Sequence, residues 1–130
     1  MTAVDTSVVV RLLTQDDFKH SVTANSIFAI GEVWIARTVL LETYWVVENV
    51  YRFPEKAIRG GLLLLIGLPN VRLQDEQAVI SAVELLDQGI DFADALHLAS
   101  RPAGARFIWF DKTFVRRAQR AGVTDITLRA

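Results

Sequence analysis

The feature that most constrains the fold is the regular alternation of short strand signals with helical stretches along the chain. Compact apolar or β-branched runs predict strands at residues 2–5, 33–36, 71–73, 106–110 and 125–128. Periodicity and capping residues predict helices at residues 7–13, 16–30, 38–51, 76–88 and 114–121. Two further helices begin at Pro54 and Asp91. This alternation predicts an α/β fold in which a central parallel sheet carries helices on both faces, and we expect residues 1–130 to form one domain.

The composition narrows the cellular compartments in which the chain can function. Hydrophobic residues make up 52% of the 130 residues and the mean hydropathy is +0.29, so either the core is large or some apolar surface is reserved for a partner. The longest apolar run, residues 62–68, is too short to span a bilayer, and no signal peptide is recognisable. The chain has no cysteine, which removes disulfides and thiolate metal sites. We expect a cytoplasmic protein with no membrane partner.

Charge is distributed unevenly along the chain. Residues 1–100 hold 7 Lys and Arg against 13 Asp and Glu, whereas residues 101–130 hold 7 against 2. The basic residues of this last part are Arg101, Arg106, Lys112, Arg116, Arg117, Arg120 and Arg129. Such an end can bind a polyanion although the net charge is -1, and a merely solvated helix face is the alternative interpretation.

The segment GIDFADALHLAS, residues 89–100, places acids within an apolar helix. Asp91, Asp94 and His97 recur at intervals of three, so they share one helix face. Asp91 suits the N-cap of this helix. Asp94 lies in the first turn and has no obvious structural role beyond an interaction with the helix dipole. We interpret His97 as a packed helix residue and not as a catalytic base.

Three other acids stand where they can meet Asp94. Asp5 ends the first predicted strand and Asp111 directly follows the fourth, and in parallel sheets ligands bind beyond the carboxyl ends of the strands. Glu42 is the sole acid of the apolar segment TVLLETYWVV, residues 38–47. Singly, Asp5 and Asp111 are also consistent with helix caps and Glu42 with a solvent-facing side chain. If the four carboxylates lie together, they repel one another unless a cation such as Mg²⁺ or Mn²⁺ balances their negative charge. Bound ions of this kind promote phosphodiester hydrolysis.

Four motifs occur in order: VDTSVVV at residues 4–10, LLETYWVV at 40–47, DFADALHLA at 91–99 and FIWFDKTF at 107–114. In this order and spacing they resemble the PIN-domain ribonucleases, above all the VapC-type toxins of bacterial toxin-antitoxin operons. The resemblance covers essentially the whole chain. It implies a PIN-like α/β/α sandwich, RNA cleavage that depends on Mg²⁺ or Mn²⁺, a homodimer, and inhibition by a cognate VapB-type antitoxin.

The resemblance also assigns roles to individual residues. The acidic pocket of these nucleases falls on Asp5, Glu42, Asp94 and Asp111. Of these, Asp5, Asp94 and Asp111 are expected to hold the metal, while Glu42 completes the cluster or orients the attacking water. Ser7 and Asp91 are expected beside the pocket. The residues expected to bind the RNA backbone are Lys112, Arg116, Arg117 and Arg120.

Some features leave alternatives open. Trp109 stands where relatives often have a small hydroxyl residue, which puts the surroundings of Asp111 in question. The helix from Thr38 to Phe53 is apolar almost all round, and is either a buried core helix or a groove for an antitoxin helix. A catalytically silent PIN-like module that binds RNA or protein is the main alternative function. A receiver-like phosphoacceptor is disfavoured because Asp5 is followed by Thr6 and not by a second acid.

Overall fold

The computed structural model describes residues 1–128 of the chain, with the side chain of residue 128 left out. Arg129, one of the basic residues counted above, lies outside the described residues. The strands are β1 (Thr2–Ala3), β2 (Val33–Ile35), β3 (Val71–Leu73), β4 (Phe107–Trp109) and β5 (Ile126–Leu128). The helices are α1 (Thr6–Thr14), α2 (Phe18–Ile30), α3 (Arg37–Asn49), α4 (Glu55–Ile66), α5 (Glu76–Leu86), α6 (Phe92–Ala99) and α7 (Lys112–Arg120). The chain forms two compact units, residues 1–76 and residues 77 onward.

The first unit is built on a parallel three-stranded sheet in the order β1-β2-β3. Thr2 pairs with Val33, and Val33 pairs in turn with Val71. Two helices separate each pair of consecutive strands, so every strand ends at the same edge of the sheet. Asp5 follows β1 at that edge, as the sequence predicted.

Helix α1 packs against both α2 and α3. Its buried face carries Thr6, Val9 and Val10, whose spacing matches a helical turn. Val9 is fully buried, and Leu40 of α3 is likewise fully buried. Burying an aliphatic side chain of this kind contributes about 1.5–3 kcal/mol to folding. The same helix therefore anchors the core and carries the residues directly after Asp5.

The second unit contains a parallel two-stranded sheet, in which Phe107 of β4 pairs with Ile126 of β5. Helix α7 connects these strands and packs on both of them. Its buried residues are Phe114, Val115 and Ala118, and the basic residues between them face away from that core. This alternation is the amphipathic pattern expected of a helix covering a sheet.

The α/β class and the parallel direction of the strands are confirmed. The sequence predicted one central sheet, and within residues 1–128 hydrogen bonding groups the strands as three and two. The ladders are short, since each strand has only two or three residues. No helix in the described part of the chain is long and apolar enough to cross a membrane.

The first turn of α2 differs from the prediction. We expected the helix to begin at Asp16, with both Asp16 and Asp17 in its first turn. The helix instead begins at Phe18, and the Asp17 side chain caps it by accepting the backbone N–H of His20 at 3.1 Å. Asp16 lies outside the helix because it pairs with Arg11 at 2.8 Å.

Candidate functional site

Asp5 occupies the N-cap position of α1, yet its carboxylate makes no capping hydrogen bond. The side chain is exposed, and the backbone carbonyl of Asp5 accepts the N–H groups of Val8 and Val9. The interpretation of Asp5 as a helix cap is therefore not supported by the side-chain geometry. Its carboxylate is left available for another partner at the carboxyl edge of the sheet.

Glu42 lies on α3 and is held by a residue of α1. The hydroxyl of Thr6 donates to its Oε1 over 2.5 Å. Thr6 is buried whereas Glu42 is exposed, so the hydrogen bond fixes an accessible carboxylate from the protein side. Glu42 therefore faces solvent, as the structural alternative expected, but its carboxylate is also held by a hydrogen bond from Thr6.

Asp5, Ser7 and Glu42 line one cleft of about 340 Å³ in the first unit. Arg11 and Tyr51 line it as well. Two of the four predicted acids therefore meet here, with Ser7 next to them as expected. Both acids come from segments that α1 and α3 bring together by packing on each other.

A polar network closes one side of this cleft. The Nη1 of Arg11 donates to both carboxylate oxygens of Asp16, at 2.8 and 2.9 Å, and to the hydroxyl oxygen of Tyr51 at 3.2 Å. The hydrogen bond from Arg11 lowers the pKa of Asp16 to about 2. Burial, followed by the hydrogen bond to Asp16, raises the pKa of Tyr51. Arg11 and Asp16 are therefore both ionised at neutral pH, and sequence analysis missed this network.

The second unit brings the other acids together. Asp91 caps α6 by accepting the N–H of Ala93 at 3.2 Å, which confirms its predicted structural role. Asp111 caps α7 through Oδ1, which accepts the N–H groups of Thr113 at 2.8 Å and Phe114 at 3.2 Å. The cap interpretation of Asp111 is therefore correct. The described contacts leave its Oδ2 without a hydrogen bond.

Asp94 is half-buried in the first turn of α6, beside these two carboxylates. Its pKa is raised, first by desolvation, then by the negative charge of Asp91, with a smaller contribution from Asp111. His97 acts in the opposite direction. Among residues 1–128, the charged side chains that act on this carboxylate are Asp91, Asp111 and His97.

His97 is exposed in the last turn of α6, so our interpretation of it as a packed residue was wrong. The interval of three correctly placed it on the face of Asp94. Sequence spacing does not reveal whether other elements pack on such a face. In α6 the buried residues Phe92, Ala95, Leu96 and Leu98 occupy the remaining faces of the helix.

The four predicted acids offer a cation carboxylate oxygens as ligands. After desolvation, the negative charges of Asp91 and Asp111 also raise the pKa of Asp94, and a divalent cation would offset both effects. Oxygen ligands of this type suit Mg²⁺ or Mn²⁺. Among residues 1–128, no three His, Asp or Glu side chains already form a group that could hold a metal ion. A single cation shared by Asp5, Asp94 and Asp111 therefore stays a prediction.

Comparison with known proteins places the chain in a family. The family model of the PIN domain matches residues 2–119. The chain belongs to the PIN domain family. No curated protein matches it. Among solved structures, VapC20 of Mycobacterium tuberculosis, described as a toxin that cleaves the sarcin-ricin loop, is 20% identical, with a TM-score of 0.45 over 100% of this chain and 90% of that one.

In this PIN domain, the basic residues predicted to bind RNA fall into two kinds. Lys112, Arg116 and Arg120 are exposed on α7. Arg117 also lies at the surface, but its Nη1 donates to the backbone carbonyl of Gly89 at 2.8 Å. Gly89 has a φ of +77° in the turn that leads to α6. Arg117 therefore ties α7 to the segment that precedes Asp91.

Trp109 of the PIN domain serves packing. It is half-buried, and its ring centroid lies 5.7 Å from that of Phe107 and 5.1 Å from that of Phe114. Aromatic pairs at such distances contribute about 0.5–1.5 kcal/mol beyond area burial. The indole thus supports the start of α7, where Asp111 is the cap.

Helix α3 combines the two interpretations that the sequence left open. Leu40, Tyr44 and Val47 are buried and belong to the core. Trp45, on the other side of α3, is 60% exposed, and Val50, directly after the helix, is 62% exposed. The core interpretation holds for one face, and the partner groove remains a proposal for the other.

Proposed function

We propose that this PIN domain is an endoribonuclease that depends on Mg²⁺ or Mn²⁺ and acts in the cytoplasm as the VapC-type toxin of a toxin-antitoxin pair. The observation that carries the proposal is the placement of Asp94, a half-buried carboxylate in the first turn of α6 that lies near the carboxylates of Asp91 and Asp111. Such an arrangement is expected of a cation site. The family match gives the chemistry its context.

In the proposed mechanism, Asp94 and Asp111 of the second unit and Asp5 of the first unit would hold the divalent ion. A bound ion of this kind supplies a Lewis acid that acidifies water and neutralises charge developing on a phosphate. Asp111 keeps one oxygen in the cap of α7 and offers the other. Asp5 offers a carboxylate that caps nothing.

Glu42 would act as the general base that accepts a proton from the attacking water. Held by Thr6, its carboxylate orients the attacking water and accepts the proton that the water loses as its oxygen bonds to phosphorus. The bond to the 3′-oxygen breaks and this oxygen takes up a proton from solvent water, which leaves a 3′-hydroxyl and a 5′-phosphate. Lys112, Arg116 and Arg120 would bind backbone phosphates on the exposed face of α7.

The test is cleavage of a total-RNA pool by the purified protein with Mg²⁺ or Mn²⁺, and then with a chelator. Asp5→Ala, Asp94→Asn and Asp111→Asn should abolish cutting, whereas Glu84→Gln, which changes an exposed acid of α5, should not. If the folded wild-type protein, free of antitoxin, cuts no RNA under any of these conditions, the catalytically silent binding module becomes the better function. Full activity in all three acid variants would refute the metal site.

The proposal includes two protein partners, an antitoxin and a second copy of the chain. Large apolar side chains are exposed on α3, directly after its end and on α4, namely Trp45, Val50, Leu63 and Leu64. Large apolar side chains exposed in this way are often found at partner sites. Leu64→Glu should abolish antitoxin binding or lower the molar mass measured by light scattering, without lowering the melting temperature. If neither changes, this surface is not a partner site.

A further inference from the structure

The first unit contains a second pocket, of about 230 Å³, between α1 and α2. It adjoins the cleft of Asp5 and Glu42, because Ser7 and Arg11 line both. Ser7 and Arg11 lie one turn apart on α1, which corresponds to about 6 Å along the helix, roughly two stacked nucleotides at about 3.4 Å each. A strand whose phosphate lies beside Asp5 therefore reaches this pocket within a few nucleotides.

We propose that this pocket binds a nucleobase of the RNA strand next to the phosphate that is cut. The inference rests on the proposed function and adds to it a site for sequence preference. It concerns the residues of α1 and α2 alone, none of which the resemblance assigned to base recognition.

The wall formed by α2 has the two kinds of group that hold a base. Ala24 is buried and Ile27 half-buried, and together they give an apolar surface for the face of an aromatic ring. Thr23 donates its hydroxyl to the carbonyl of Lys19 at 3.2 Å, which leaves the oxygen free to accept from a base amino group.

His20 supplies the directional group. Its Nδ1 lies 3.0 Å from Oδ2 of Asp17, and its backbone N–H donates to the other oxygen of the same carboxylate. These two hydrogen bonds, the backbone one first, lower the pKa of Asp17, so the carboxylate is ionised and accepts from Nδ1–H. Nε2 is then the ring nitrogen left for the edge of a base. The ring is oriented before any ligand arrives.

Arg11 places a cation where the two cavities meet. Its Nη1 is committed to Asp16 and Tyr51, and its Nη2 has no hydrogen bond among the described contacts. The pKa of Arg11 is raised chiefly by the hydrogen bond to Asp16, so the charge persists at every working pH. A fixed guanidinium at this boundary suits the phosphate that links the cut nucleotide to the bound base.

The first experiment maps the ends of cleaved RNA for Thr23→Trp and for the matched control Ser26→Trp. Both residues are exposed on α2, but only Thr23 lines the pocket, so only Thr23→Trp should fill it. We expect the wild-type protein to prefer one base within a few nucleotides of the cut. Thr23→Trp should lose that preference, with kcat/KM on the preferred RNA falling about tenfold, the effect of losing one stacked base. Ser26→Trp should behave as the wild type. Identical cleavage profiles and rates for the two variants would overturn the proposal.

A second measurement separates this inference from the proposed function. The chain has 2 histidines, so His97 is an internal reference for His20 in ring-nitrogen NMR of the metal-free protein. Titration with the four nucleoside monophosphates should shift the His20 signals and leave those of His97 unchanged, whereas ribose 5-phosphate should shift neither. If no nucleotide moves His20, the pocket binds no base, whether or not RNA is cut. If His20 responds but no RNA is cut, base binding stands and the nuclease proposal fails.

Discussion

The hydrogen bond between Thr6 and Glu42 gives the most direct test of how the first unit presents its acids. Thr6→Val keeps the shape of the buried side chain and removes the hydroxyl that donates to Oε1 of Glu42. A hydrogen bond to a charged group contributes about 1.5–3 kcal/mol, and water replaces part of it at an exposed carboxylate. We therefore expect a loss of about 1–2 kcal/mol in the free energy of unfolding. For a chain of 130 residues, this corresponds to a melting temperature about 4–8 °C lower.

The assay is a double-mutant cycle with Thr6→Val and Glu42→Ala, measured by denaturant unfolding in chelator so that no metal contributes. The coupling between the two sites should be about 1 kcal/mol or more, since the residues contact each other directly. Thr6→Ser, which retains the hydroxyl, is the control and should keep most of the coupling. A coupling below about 0.3 kcal/mol, the usual error of additivity, would refute the argument that Thr6 holds Glu42.

Three further predictions concern the second unit. Asp111→Asn keeps an oxygen that can cap α7, so its melting temperature should be close to that of the wild type, whereas Asp111→Ala should lose about 1 kcal/mol; equal stability of both would contradict the cap. Because burial and nearby negative charge raise the pKa of Asp94, its ionised form destabilises the fold. Asp94→Asn should therefore raise the melting temperature of the metal-free protein at pH 7. This gain should vanish as the pH falls below the ordinary Asp pKa of about 3.9. Arg117→Gln should lower stability by about 1–2 kcal/mol through loss of the bond to Gly89. Arg116→Gln should leave stability unchanged but reduce the salt dependence of RNA binding by about one phosphate contact. If instead Arg116→Gln lowered stability and Arg117→Gln changed only RNA binding, the two arginines would have exchanged roles.

Local features were predictable from the sequence because the groups that interact are near one another in the chain. The caps formed by Asp91 and Asp111 involve backbone groups only two or three residues away. The parallel direction of the strands followed from the helices between them, which leave no short hairpin connection. The position of Asp5 after β1 followed in the same way.

Long-range polar contacts were not predictable. Thr6 and Glu42 are separated by 36 residues, and Arg117 and Gly89 by 28. Both pairs depend on how helices pack on other elements, which hydrophobic periodicity alone does not determine. The sequence therefore grouped Arg117 with its basic neighbours by charge and could not show the hydrogen bond that it also makes.

The double hydrogen bond at Oδ1 of Asp111 has a consequence for the entropy of ligand binding. A free aspartate side chain rotates among several rotamers and loses that freedom when a cation or a water binds. In this chain the backbone N–H groups of Thr113 and Phe114 restrict the rotation as soon as α7 forms, so Oδ2 points in one direction before any ligand arrives. Asp111→Glu would retain the charge but lengthen the side chain by one methylene group and release this constraint. Position 111 thus requires a carboxylate that lies close enough to the backbone to be held by these N–H groups, and negative charge alone is not sufficient.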